Sequence, residues 1–290
     1  MAKIAPGPHP LATAHSIYHY GMLRVSCGTL FHPGVTSKMQ LDLFAILLLG
    51  LTGLLAGGIN TLAGGGSNLT LPVLMMLGLP ADVANATNRV GVALQCVVGV
   101  AGFDKHKTLD RPAIWPILIP TMIGGVLGAI AAALMPNLYL KPVLLITILT
   151  MSVIILVRPE VIAPPAGTAT LSPRENPKAW WGLFGAGVYG GFVQAGVGFI
   201  LLIALAGGLR YDLARANALK MVCALTFTSI ALGVFIYFGQ VRWMPGLILA
   251  VGTMTGAHFA VKIAIKASQD SIKWFLFVMT LFAVAGGFFL

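Results

Sequence analysis

The sequence predicts an all-α polytopic membrane protein, with about eight hydrophobic segments in two inverted repeats, each opening with a glycine-broken re-entrant helical hairpin. Three observations carry this expectation. The chain of 290 residues is 58% hydrophobic and only 9% charged, with a mean hydropathy of +0.91, whereas a soluble domain carries about 25% charge. Its apolar stretches reach the roughly 20 residues needed to cross a hydrocarbon core about 30 Å thick. Finally, "GGINTLAGGG" (57–66) in the first half is answered by "GGFVQAGVGF" (190–199) in the second.

Taken in order, residues 1–38 lack the basic, apolar and small-residue sequence of a signal peptide and hold four of the six His among scattered Gly and Pro. They read as a disordered leader, and Met39, opening "MQLDLFAILLLG", reads as an alternative start of the native product. A first membrane repeat is expected over 39–158, with spans at 42–62, 83–103, 113–135 and 139–157. The proline-rich stretch 159–178 reads as a cytoplasmic linker. A second repeat is expected over 179–290, with segments at 180–206, 214–238, 243–265 and 272–290. "LGLPADVANA" (77–86) and "GGLRYDLARA" (207–216) extend the internal similarity, Asp82 matching Asp212.

Loop charge sets the orientation. Lys105, Lys107 and Arg111, then Arg158, Arg174 and Lys178, then Lys262, Lys266 and Lys273 mark three cytoplasmic loops, while 136–141 and 239–242 carry one basic residue each and read as external. The chain must cross an odd number of times between the linker and the loop near 240. It holds one full span there, 214–238, so 180–208 must dip in and return. The same logic makes 42–80 a helix–break–helix hairpin entering from the other side, with its second arm running from about Ser67 to Leu77.

Irregular backbone at membrane depth is tolerated only where protein or a cavity surrounds it, so the breaks are expected to face a site. Free amides at a helix start suit an anion. The candidate binding residues are Asn60, Thr61, Gly64, Gly65, Gly66, Ser67 and Asn68 at the first break, and Gln194, Gly196 and Gly198 at the second. "ANATNRV" (84–90) adds Asn85, Asn88 and Arg89, and "ARANALK" (214–220) adds Asn217 and Lys220. Charges inside a span are functional by default. The plainer readings are close helix packing for the glycines and snorkelling to the headgroups for the two cations. His258 is the candidate for proton coupling, against a hydrogen-bonded packing histidine.

Cys27, Cys96 and Cys223 are far apart and indicate neither a disulfide framework nor a metal set. "AGGGSNLT" lacks the Lys of a phosphate loop, and no G-x-G-x-x-G after a strand or H-E-x-x-H is present. The net charge of +10 is accounted for by loop bias. No enzyme activity, cofactor or nucleic-acid partner is therefore expected. The expected partners are a small anionic substrate and the lipid bilayer, and oligomeric state is not legible.

The run "GGINTLAGGGSNLTLPVLMMLGLP", followed by "ANATNRV", the basic loop "FDKHK" and a second-half "GGFVQAGVGF" leading to "ANALK", resembles the sulfite exporter TauE/SafE family from about residue 40 to 290. The resemblance implies a multi-pass plasma-membrane carrier for small anions, with sulfite and organosulfonates such as sulfoacetate the best-known substrate classes, linked to the proton gradient. A passive anion channel with the same lining and a non-transporting scaffold are the alternatives.

Overall fold

The computed structural model describes residues 42–62, 64–157, 164 and 167–266. Every regular element among them is helical: α1 (Leu43–Leu62), α2 (Ser67–Met76), α3 (Ala81–Lys105), α4 (Ile114–Leu134), α5 (Asn137–Val157), α6 (Pro177–Phe192), α7 (Val197–Leu202) running into a π-helical turn (Ile203–Gly208), α8 (Leu213–Tyr237) and α9 (Trp243–Lys266). Among the described residues five helices, α1, α3, α4, α8 and α9, are long and apolar enough to cross a membrane. The segments expected at 42–62, 83–103, 113–135, 214–238 and 243–265 coincide with these five, and that at 139–157 with α5. The segment expected at 180–206 is divided into α6, α7 and the π-helical turn. The segment 272–290 and the leader 1–38 lie outside the described residues.

The outer surface is apolar. Leu43, Phe44, Leu47, Leu51 and Leu55 of α1 are exposed, while Leu49, Gly53, Ala56 and Gly57 face inward. In water such a patch would drive association; against acyl chains it needs no partner. Association between helices must then come from close packing and polar contacts rather than from the hydrophobic effect, and small residues supply the closeness. Gly53 and Gly57 of α1 lie against Gly252 and Thr253 of α9, and a Cβ on any of the three glycines would enter the facing backbone. The arrangement recurs between α4 and α6, where Gly124 and Gly128 meet the Phe184–Phe192 stretch and Gly187 meets Thr121. Thus α1 packs chiefly on α9 and α6 on α4, with α3 packed on α9, α8 on α4, and α3 and α8 on one another.

The two breaks are built from local backbone chemistry. Gly64, at φ +95, stops α1, and its N–H turns back to the Ile59 carbonyl at 3.1 Å; only glycine takes this conformation without steric cost. Three residues later Ser67 starts α2, as the sequence led one to expect. Leu74 of α2 then joins Leu49 of α1 in one buried cluster. In the second half α6 stops at Phe192, Gln194 stands at φ +68 and Gly196 at φ +72. The chain after this break comes back to where α6 began: the Asn176 side chain, which also caps α6, donates from Nδ2 to the Gly208 carbonyl at 2.9 Å. Leu171 N–H donates to the Leu209 carbonyl at 3.0 Å nearby. Loop residues Lys107 to Pro112 share a surface cavity with Arg215 at the start of α8. At the starts of α3 and α5, Asp82 and Asn137 exchange two hydrogen bonds, at 3.1 and 2.6 Å.

Candidate functional site

The breaks meet. Gly64 and Gly198 stack backbone on backbone, and the Gly198 N–H donates to the Gly64 carbonyl at 3.3 Å. Around this junction Asn60, Thr61, Gly64, Gly65, Gly66, Ser67 and Asn68 of the first break and Gln194, Gly196 and Gly198 of the second are all buried. So are Asn85, Asn88, Arg89, Asn217 and Lys220. Every substrate-contact candidate in the sequence therefore lies inside the helix bundle, with the two charged ones fully enclosed.

What the cations do there follows from helix-end chemistry. The last carbonyls of a helix have no intrahelical donor and carry partial negative charge. Arg89 of α3 reaches the end of α6: Nη1 donates to the Gly190 carbonyl and to Gln194 Oε1 (2.7 Å), and Nη2 to the carbonyls of Gly191 (3.1 Å) and Phe192 (3.2 Å) and to Asn85 Oδ1 (3.3 Å). Lys220 of α8 reaches the end of α1: Nζ donates to the carbonyls of Asn60 (3.0 Å) and Thr61 (2.9 Å) and to Asn217 Oδ1 (2.6 Å). The clamps are crossed, since each broken helix is held by a cation more than 100 residues away in the other half of the chain.

Amide and hydroxyl groups complete the setting. Asn85 Nδ2 donates to the Phe192 carbonyl at 2.8 Å, beside the Arg89 clamp. Gln194 Nε2 donates to Thr228 Oγ1 at 2.7 Å, so this side chain, with a left-handed backbone that L-residues rarely adopt, is held from both ends. Asn88 fastens the start of α2, accepting from Thr70 Oγ1 at 2.6 Å and donating to Ser67 Oγ at 3.0 Å. Replacing Asn88 by Ala removes both bonds and is expected to lower stability by about 1–3 kcal/mol, given roughly 0.6–1.7 kcal/mol per interhelical bond in a membrane; thermal unfolding of the purified protein in detergent checks this.

Two properties set the electrostatics. Among the described residues Arg89 and Lys220 are the buried ions, and no Asp or Glu is buried with them. Each uncompensated ion carries an effective desolvation penalty of several kcal/mol, which helix-end carbonyls offset only in part. Moreover, Arg89 Nε and Asn217 Nδ2 are buried donors with no hydrogen-bond partner among the described residues. Each clamp is thus a buried positive charge unmatched by any buried carboxylate among the described residues, with one spare donor, Arg89 Nε or Asn217 Nδ2, beside it.

His258 is not part of this cluster; it is exposed on α9, its ring edge-on to Phe259 at 5.8 Å between centroids. Conversely, the candidate residues drawn from the sequence leave out several cluster members. Thr70, Gln95 and Thr228 are buried polar groups within helices, and Gln95 Nε2 reaches Thr61 Oγ1 at 3.4 Å. An amide in the middle of an apolar span is a signal that would have found Gln95. The Phe235 ring, 5.6 Å from the Arg89 guanidinium carbon, is a cation–π partner that only the fold reveals. Among the described residues no group of His, Cys, Asp and Glu could hold a metal ion.

The chain is 27% identical over 251 residues to a "Probable membrane transporter protein" of Haemophilus influenzae, covering 84% of this chain and 94% of that one. It is 25% identical over 235 residues to "Probable membrane transporter protein ORF9" of a Sinorhizobium species, covering 78% and 86% of the two chains. It is 26% identical over 237 residues to "Probable membrane transporter protein YfcA" of Escherichia coli K12, covering 78% and 84%. Residues 49–286 match the family described as sulfite exporter TauE/SafE. This multi-pass membrane protein therefore belongs to the sulfite exporter TauE/SafE family of transporters.

Proposed function

We propose that the protein is a secondary carrier that moves a small anion, such as sulfite, an organosulfonate or a related oxyanion or carboxylate, across the plasma membrane and couples it to the proton gradient. The observation that carries this reading is the pair of enclosed cations, Arg89 and Lys220, with no buried carboxylate among the described residues. An anion entering the region would meet charge that the protein has left uncompensated, and the spare donors Arg89 Nε and Asn217 Nδ2 would complete its shell.

In this reading residues 39–158 and 179–290 are inverted repeats joined by a cytoplasmic linker, and each break belongs to a re-entrant hairpin. Three features support it: the exchanged glycine pairings of α1 with α9 and α6 with α4, the crossed cation clamps, and the return of the chain after α7 to the start of α6. Alternating access then comes from one repeat rocking against the other about the Gly64–Gly198 junction.

Counterflow in proteoliposomes tests the reading. With unlabelled sulfite or sulfoacetate inside, labelled anion outside should accumulate transiently and saturably. Flux that rises linearly without counterflow would make the protein a channel, and absence of flux across a panel of sulfite, sulfate, thiosulfate, sulfoacetate and simple carboxylates would make it a scaffold.

A further inference from the structure

The two clamps are chemically unequal. A guanidinium stays charged in any protein environment, whereas an ammonium can give up its proton. Lys220 Nζ uses all three of its N–H donors, on the Asn60 and Thr61 carbonyls and on Asn217 Oδ1. The neutral amine would keep two donors and present a lone pair to the third acceptor, so losing the proton opens the clamp on the end of α1 and removes one of the two enclosed charges together. Arg89, on the end of α6, has no such second state.

The surroundings leave this role to Lys220. Of the elements packed on α8, α1, α4, α7 and the π-helical turn carry no titratable residue. On α6 the titratable residues are Lys178, exposed near its start, and Tyr189, whose hydroxyl donates to the Ala195 carbonyl. On α3 Asp82, Asp104 and Lys105 lie at the ends, Arg89 is fixed on α6, and Cys96 is a buried thiol. On α8 itself Arg215 is exposed, Asp212 caps the helix, Cys223 is buried and Tyr237 is exposed at the far end.

We propose that Lys220 carries the coupling proton of the transport cycle. With Nζ protonated, the site holds its anion and the end of α1 is clamped. When the site opens to the other side, an N–H bond of Nζ breaks heterolytically, the electron pair stays on nitrogen, water takes the proton, and anion and proton leave together. Nothing is oxidised or reduced, and a monoanion crosses with one proton as an electroneutral pair. This rests on the carrier reading above and assigns its coupling step.

The experiment compares wild type with Lys220→Arg in proteoliposomes, using sulfite and sulfoacetate as probes, in counterflow without a pH gradient and in uptake driven by one. Lys220→Arg keeps a charge and loses the releasable proton, so, whatever counterflow remains after the larger guanidinium is accommodated, the ratio of gradient-driven accumulation to counterflow should fall at least about tenfold relative to wild type. Comparing variants cancels the titration of sulfite itself. A ratio in Lys220→Arg equal to that of wild type, or wild-type uptake indifferent to the gradient, would overturn the assignment while leaving the carrier intact. Absence of saturable counterflow in wild type would overturn the carrier reading and this one with it. Should Lys220→Arg fail to fold, Asn217→Asp serves: a carboxylate beside the ammonium holds its proton, so the pH profile of driven sulfoacetate uptake should move to higher pH, and an unmoved profile would overturn the proposal.

Discussion

Arg89→Ala is expected to lower anion flux per folded molecule by about 100-fold or more, equivalent to roughly 2.7 kcal/mol at about 1.4 kcal/mol per factor of ten, and to lower stability as well. The truncation removes one of the two enclosed charges and leaves the Gly190 and Gly191 carbonyls and Gln194 Oε1 without the guanidinium donor, while the Phe192 carbonyl keeps Asn85 Nδ2. Leaving a buried acceptor without its donor costs about 1–3 kcal/mol, and here Gln194 at φ +68 also loses one of its two anchors. Arg89→Lys separates charge from geometry: a single ammonium cannot reach both sides of the α6 terminus as the guanidinium fork does. It should therefore recover part of the flux and less of the stability. Counterflow normalised to monodisperse inserted protein reads the first effect, and thermal unfolding reads the second. Unchanged flux in Arg89→Ala would remove Arg89 from the anion site.

The second large effect concerns the junction of the breaks. Gly198→Ala places a Cβ on the Gly64 Cα, and Gly64→Ala does the reverse. Overpacking of this kind costs about 1–3 kcal/mol. At Gly64 the left-handed backbone at φ +95 adds about 1–2 kcal/mol for any L-residue. The expected order of damage is Gly64→Ala above Gly198→Ala, and Gly198→Val should yield little folded protein. Thermal unfolding and size-exclusion profiles check the order. Equal stability of all three with wild type would mean that the breaks do not touch.

Much of the junction was legible because the signals are local. Three successive glycines before Ser67 announce both the stop of α1 and the start of α2, and the arm expected from about Ser67 to Leu77 is observed as Ser67–Met76. Arg89 and Lys220 stood out because charge is scarce in an apolar span. Their partners were not legible. Carbonyls have no residue signature, and the pairings join positions 101 to 160 apart in sequence, which only the packing of α3 and α8 brings together. The left-handed Gln194 gave no sign either, since the nearby Gly196 is the residue whose type suggests such a turn. The π-helical turn at Ile203–Gly208 likewise hides in a run of small and apolar residues that suits an ordinary helix.

The crossed clamps also have a consequence for how the chain is made. The Asn60 and Thr61 carbonyls are synthesised about 160 residues ahead of the lysine that satisfies them. At roughly 5–20 residues per second, they wait on the order of ten to thirty seconds at the ribosome with the end of α1 uncapped. Arg89 waits comparably for α6. The first half therefore reaches the bilayer before it can finish its own structure, and translation of the second half is the step that completes both.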